Sequence, residues 1–228
     1  MRVLLISDDE WHPCKIPMDG TAFLREKGFT VDNVTNTENF NVEILKNYNV
    51  IIMCKEDHIS QSNTGSWKNE AVQKAFVEFV ENGGGLLVSH SGICAGENTE
   101  LLDKLAGVCF KYHPNTCPVL VETLKPHPVT NGVEFFCEPD EHYQVEIITD
   151  DIEILSASYS AAQGDESKYN SEPYHNCRAR IEPCVLVRTQ GKGRVCVITP
   201  GHTAEMWKNE QFKRLLENAL NWCGKEGC

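Results

Sequence analysis

Four short apolar runs each lead within a few residues to a histidine: residues 3–7 to His12, 50–54 to His58, 86–89 to His90, and 195–199 to His202. Imidazole binds metals and moves protons near neutral pH, so four converging rings would suit a divalent ion or a polarised carbonyl. The segment Glu138-Pro139-Asp140-Glu141-His142-Tyr143 adds carboxylates and a fifth imidazole. Mixed nitrogen and oxygen ligands fit a borderline cation, zinc first, with one position left open for substrate. No HExxH spacing occurs, so a metal site would be assembled from distant strand ends. His90 and His202 are the foremost candidates, because each ends an apolar run and has a glycine nearby that lets backbone approach a ligand. A strand-end histidine also serves as a hydrogen-bonded cap. His12 and His58, flanked by Asp8, Asp9 and Glu10 and by Glu56 and Asp57, read equally well as solvated turns.

A second chemistry is written in Gly92-Ile93-Cys94-Ala95-Gly96. G-x-C-x-G after a strand resembles the nucleophile turn of class I glutamine amidotransferases, and His202 with Glu205 would supply a base and its orienting acid. The register opposes this. With the strand ending at His90, the elbow position falls on His90 itself, and Cys94 lies about a helical turn further on, as a packed thiol.

The elements that must position these residues alternate strand and helix in the first half, the pattern of a parallel sheet with covering helices. Strands are predicted at 1–7, 29–34, 50–54 and 86–90, with a helix over 18–27 closed by Gly28 and another capped by Ser66 and ended by Gly83. Strands are also expected at 119–124 and 152–158, and residues 164–180, which carry almost no periodicity, as a long loop. Residues 184–189 and 194–199 flank a Gly-containing turn and read as a hairpin, followed by an amphipathic helix through Phe212, Leu215, Leu216, Ala219, Leu220 and Trp222. In an open parallel sheet the strand C-termini share one edge, where ligands bind.

Composition narrows the ligand. The formal charge of −12 over 228 residues disfavours nucleic acid and anionic membrane surfaces, leaving a neutral or metal-bound small molecule. Eleven cysteines without CxxC pairs, in a chain whose N-terminus runs from Met1 into a strand with no cleavable signal pattern, are read as reduced residues of a cytoplasmic protein. No linker or repeat divides the chain, and residues 1–228 are read as one domain.

Ser89-His90-Ser91-Gly92 after a triple-glycine strand entry, His127-Pro128-Val129-Thr130 before the acidic segment, and Gly191-Lys192-Gly193-Arg194 leading to Pro200-Gly201-His202 resemble the ThuA-like (trehalose utilisation) family. The likeness spans nearly the whole chain. It implies a class I glutamine amidotransferase-like, flavodoxin-like three-layer α/β sandwich with a mostly parallel central sheet and no glutaminase cysteine. It further implies a sugar or keto-sugar substrate, a pathway shared with a sugar oxidoreductase, and a motif set of His12, His58, His90, Glu141 and His202. Cys94 and the cysteine-rich stretch 164–184 depart from many members.

Three functions follow as expectations. In the first, His12, His58, His90 and His202 hold a divalent metal and, with Glu141, His90 and His202 as catalytic groups, move a proton on a sugar in an isomerisation, elimination or hydrolysis. Trp11, His12, His58 and His142 would contact the substrate. No nucleotide cofactor is expected, and a homo-oligomer is compatible with this reading. The second is a Cys94/His202 hydrolase. The third is a sugar-binding or regulatory module without chemistry, in which Trp11, Trp67 or Trp207 stacks on a ring.

Overall fold

The structure, a computed structural model, describes residues 1–94, 96, 98–160 and 180–225, so the expected loop at 164–180 lies almost wholly outside the described residues. The opening half builds β1 (Arg2–Ser7), α1 (Lys15–Gly20), β2 (Thr30–Val34), β3 (Val50–Cys54), α2 (Glu70–Glu81), β4 (Gly85–Ser89) and α3 (Glu100–Ala106). Then follow β5 (Val108–Tyr112), β6 (Cys117–Thr123), β7 (Phe136–Asp140), β8 (Gln144–Ile147), β9 (Glu153–Ser160), β10 (Arg180–Gln190), β11 (Gly193–Ile198), α4 (Ala204–Lys208) and α5 (Glu210–Cys223).

Among the described residues the main sheet runs β2-β1-β3-β4-β11-β10-β9-β6-β7, while β5 and β8 pair separately. The first five strands are parallel, and from β10 onward every pairing is antiparallel. Continuous apolar runs make the central strands because both faces are covered. In β1, Val3 and Leu5 join the core under α5, with Trp207, Phe212, Leu216 and Leu220, while Leu4 and Ile6 join the core under α2, with Val72, Phe76 and Val80. The result is the expected three-layer α/β sandwich.

Local boundaries differ from the sequence expectation for physical reasons. The helix predicted over 18–27 is instead α1, which stops at Gly20, followed by a 3-10 turn over Ala22–Arg25. Thr21 donates its hydroxyl back to the Pro17 carbonyl at 2.7 Å, and Gly20 is pressed against the Trp207 ring, where an added Cβ would lie 2.5 Å from Cε3. The cap of α2 is Asn69 rather than Ser66, its side chain accepting from Ala71 and Val72 N–H. The hairpin forms as expected from β10 and β11.

Candidate functional site

The parallel register brings the ends of β1, β3, β4 and β11 to one edge, and each exit is fixed by a buried polar group. After β1 the chain passes Asp8 at φ 88° and reaches Asp9, whose buried carboxylate accepts from Trp11 N–H at 3.0 Å, His12 N–H at 2.9 Å and His12 Nδ1 at 2.6 Å. Its other oxygen accepts Glu56 N–H at 3.0 Å, so one carboxylate ties the β1 exit to the β3 exit. Burial alone would raise Asp9, but the His12 hydrogen bond and charge outweigh it and hold the acid at about 2. Lys55, fully buried at the β3 exit, donates to the Asp8 carbonyl after β1 and the Thr35 carbonyl after β2, and so braces three strand exits.

His90 takes the elbow position after β4 at φ 44°, a left-handed conformation that non-glycine residues adopt at a cost of roughly 1–3 kcal/mol and mainly at functional sites. Its Nδ1 lies 2.9 Å from the Thr199 carbonyl. The ring donates there, which leaves the Nε2 lone pair directed at the site. Gly92 makes the tight turn beneath it, its Cα so close to β3 that a Cβ would sit 2.1 Å from the Met53 carbonyl oxygen.

His202 and Glu141 are locked together by Asp140. The Asp140 carboxylate accepts from Glu141 N–H at 2.8 Å, Gly201 N–H at 2.8 Å and His202 N–H at 2.9 Å. In sheet order β10, β9 and β6 separate β11 from β7, a span of roughly 19 Å if the sheet were flat. These hydrogen bonds therefore require the antiparallel half to curl back over the strand ends.

The four donor groups His12, His90, Glu141 and His202 present one ligand atom each, all within 4.8 Å of one another. The rings pack edge to face, with centroids 5.0 Å apart for His12–His90, 5.2 Å for His12–His202 and 5.4 Å for His90–His202. Glu141 Oε2 lies 3.2 Å from His202 Nδ1, 3.3 Å from His90 Nε2 and 3.6 Å from His113 Nε2. His90 Nε2 and His202 Nδ1 are buried without a well-directed hydrogen bond among the described residues. Burial pushes His90 down to about 4. His202 moves the other way, because Glu141 overrides the burial that would lower it. Burial opposes ionisation of Glu141 too, yet His202 and His90 hold it well below the usual carboxylate range.

Above this cluster opens a cavity of about 440 Å³, within the range of small-molecule sites. Its walls are Trp11, Phe110, Tyr112, His113 and Tyr143, with Glu56, Cys94 and Lys111 completing the lining around His12, Glu141 and His202. His90 packs against Tyr143, the rings tilted by 31° with centroids 4.0 Å apart.

The sequence candidates divide clearly. His12, His90, Glu141 and His202 converge as expected, and Trp11, 52% exposed, stands in the cavity wall. His58 does not join the four: it groups with Asp9 and Glu56, its Nδ1 3.8 Å from Glu56 Oε2. The loop after β3 sends Glu56 into the cavity, and Asp57, accepting Trp67 and Lys68 N–H, turns the chain before His58 reaches it. His142 is absent from the lining, because Glu141 and Tyr143 on either side face the cavity; its Nε2 lies 2.9 Å from Ser158 Oγ in the buried interior. Trp67 and Trp207, 3% and 1% exposed, are core residues and offer no stacking surface. Cys94 borders the cavity, but burial pushes its thiol well above the ordinary value and its Sγ contacts Tyr143 Oη at 3.4 Å, the environment of a packed thiol. Asp9, Asp140 and His113 escaped the sequence reading as site residues. The Asp140-Glu141 doublet was visible; nothing in the periodicity marked β5, which carries His113 to the cavity.

A flavodoxin-like sandwich with an imidazole in place of the elbow nucleophile defines the class. The ThuA family model, described as trehalose utilisation, matches residues 2–223, and the chain belongs to that family. Among solved structures, a ThuA-like protein from Bacteroides uniformis is 26% identical with TM-score 0.72, the match covering 98% of this chain and 91% of that one. A ThuA-like protein from Parabacteroides merdae is 19% identical with TM-score 0.74, covering 98% and 90%. A β-galactosidase from Rahnella sp. R3 shares the fold over 96% of this chain but 30% of its own, at 16% identity and TM-score 0.59. The sequence has no match among the curated proteins. No helix among the described residues is long and apolar enough to cross a membrane.

Proposed function

We propose that the protein acts on a sugar or keto-sugar by proton transfer at a divalent metal, zinc first, held by His12, His90, His202 and Glu141. The observation that carries this reading is the set of buried imidazole nitrogens directed at one point beside a carboxylate, under an aromatic-walled cavity. Two of the histidines have their other nitrogen fixed, His12 by Asp9 and His90 by the Thr199 carbonyl, the outer support that metal-ligating imidazoles use. Family membership supplies the carbohydrate context.

The chain's own groups divide the work. Trp11 and Phe110 offer faces on which a sugar ring stacks, with Tyr143 packed behind them against His90. The cluster orients a ring oxygen or carbonyl, and a bound cation would supply Lewis-acid polarisation of it. A carbonyl on the ring acidifies the neighbouring C–H, so isomerisation or elimination needs one base and one electrophile. The Cys94 hydrolase reading has no support in its raised thiol.

Zinc titration of chelator-treated protein by calorimetry tests the proposal. One zinc per chain is expected, with affinity lost in His90→Ala and His202→Ala and with binding of ring-oxidised trehalose dependent on the metal. Zinc binding that survives both substitutions would overturn the assignment.

A further inference from the structure

Within the cavity a second carboxylate is held differently from Glu141. Glu141 faces three imidazoles through one oxygen and is their counter-charge. Glu56 enters from the loop after β3 with its backbone pinned on both sides: its N–H donates to Asp9 Oδ2 at 3.0 Å, and its carbonyl accepts from Trp67 Nε1 at 2.8 Å. Its carboxylate accepts no hydrogen bond among the described residues, and its only ion pair there is with His58 Nδ1, at 3.8 Å. The charged groups that bear on it are Asp9, His12, His58 and Lys68. Burial, then the Asp9 charge, push Glu56 above the ordinary glutamate value, and its carboxylate lines the cavity beside His12.

We infer that Glu56 is the residue that takes a proton from the substrate carbon and returns it, while Glu141 serves the histidines. The inference rests on the proposed function. With a ring ketone lodged at the histidine end, the C–H bond beside the carbonyl breaks. Its electron pair becomes the C=C bond of an enolate, the carbonyl π pair moves to oxygen, and the proton passes to a Glu56 carboxylate oxygen. Return of that proton to carbon restores the ketone, and in deuterated water the returned atom is deuterium. No oxidant or reductant is consumed.

The test uses the zinc-loaded full chain and trehalose oxidised to a ketone at one ring carbon, with deuterium incorporation beside the carbonyl followed by proton NMR. Glu56→Gln is expected to slow incorporation by about 100-fold or more, the contribution of a positioned base. Ketone binding by calorimetry and zinc affinity by chelator competition should stay within about threefold, and Glu56→Asp should recover part of the rate. Glu141→Gln should instead weaken zinc by about tenfold or more. Incorporation by Glu56→Gln at close to the parent rate overturns the role of Glu56 and leaves the proposed function standing. A parent protein that binds the ketone and exchanges nothing overturns proton transfer itself, and Glu56 with it.

Discussion

Replacing Asp140 by alanine removes the acceptor for three backbone N–H groups at once, those of Glu141, Gly201 and His202. The Gly201 donor is fully buried and the other two partly so. At about 1–3 kcal/mol for a buried orphaned donor and less where water can enter, the loss sums to about 3 kcal/mol. For a chain of this length that lowers the melting temperature by about 6–12 °C, measured by calorimetry on the metal-free protein. The same substitution frees Glu141 and His202 to drift apart, so zinc affinity by chelator competition should fall about 10–100-fold at a temperature where the variant is folded. A variant that melts early yet binds zinc as tightly as the parent would show that Asp140 supports the fold and does not align the site. Unchanged melting would refute the hydrogen-bond accounting as well.

His90, neutral when buried and lowered to about 4, must stay uncharged in the folded protein while the unfolded chain protonates near 6.5. Its stabilisation is complete above pH 6.5 and shrinks as pH falls toward 4, so between pH 6.5 and 5 the metal-free protein should lose about 2 kcal/mol that His90→Gln does not, read from paired denaturant curves. Cys94→Ala should leave ketone binding and deuterium incorporation within about threefold of the parent, since the thiol is protonated and packed; a covalent adduct on Cys94 with loss of activity would contradict this. Gly92→Ala forces a methyl to 2.1 Å from the Met53 carbonyl oxygen, and should yield a protein that fails to fold or melts far below the parent. Trp11→Ala should weaken ketone binding by about tenfold with little change in melting, because half of the ring is exposed and its stacking is worth of the order of 1 kcal/mol.

The parallel half of the sheet was legible because strands buried on both faces must be continuously apolar, and β1, β3, β4 and β11 are. Their shared edge follows from parallel order, which is why His12, His90 and His202 could be placed together before any coordinates. Side-chain direction past the strand end was not legible. Whether Glu56 or His58 reaches the cavity depends on Asp9 and Asp57 accepting particular N–H groups, contacts that no local pattern encodes. The strands β5, β7 and β8 give a weak signal, since β7 carries Pro139 and sets Glu138 and Asp140 on the same face as Phe136. Their absence from the sequence reading hid His113 and the curl that delivers Glu141.

The curl of the antiparallel half has a consequence for how the protein matures. His12 comes from the first strand exit, His202 from the last, and Glu141 from the end of the edge strand β7, which β6, β9 and β10 separate from β11 in the sheet. Every pair in the cluster therefore closes a long loop, and loop closure is the slow, entropically opposed part of assembly. A cation cannot nucleate such a fold early; it meets a complete ligand set only in the finished chain. Under the proposed zinc assignment, ion capture would follow folding, so the refolding rate should be indifferent to zinc while the unfolding rate is not.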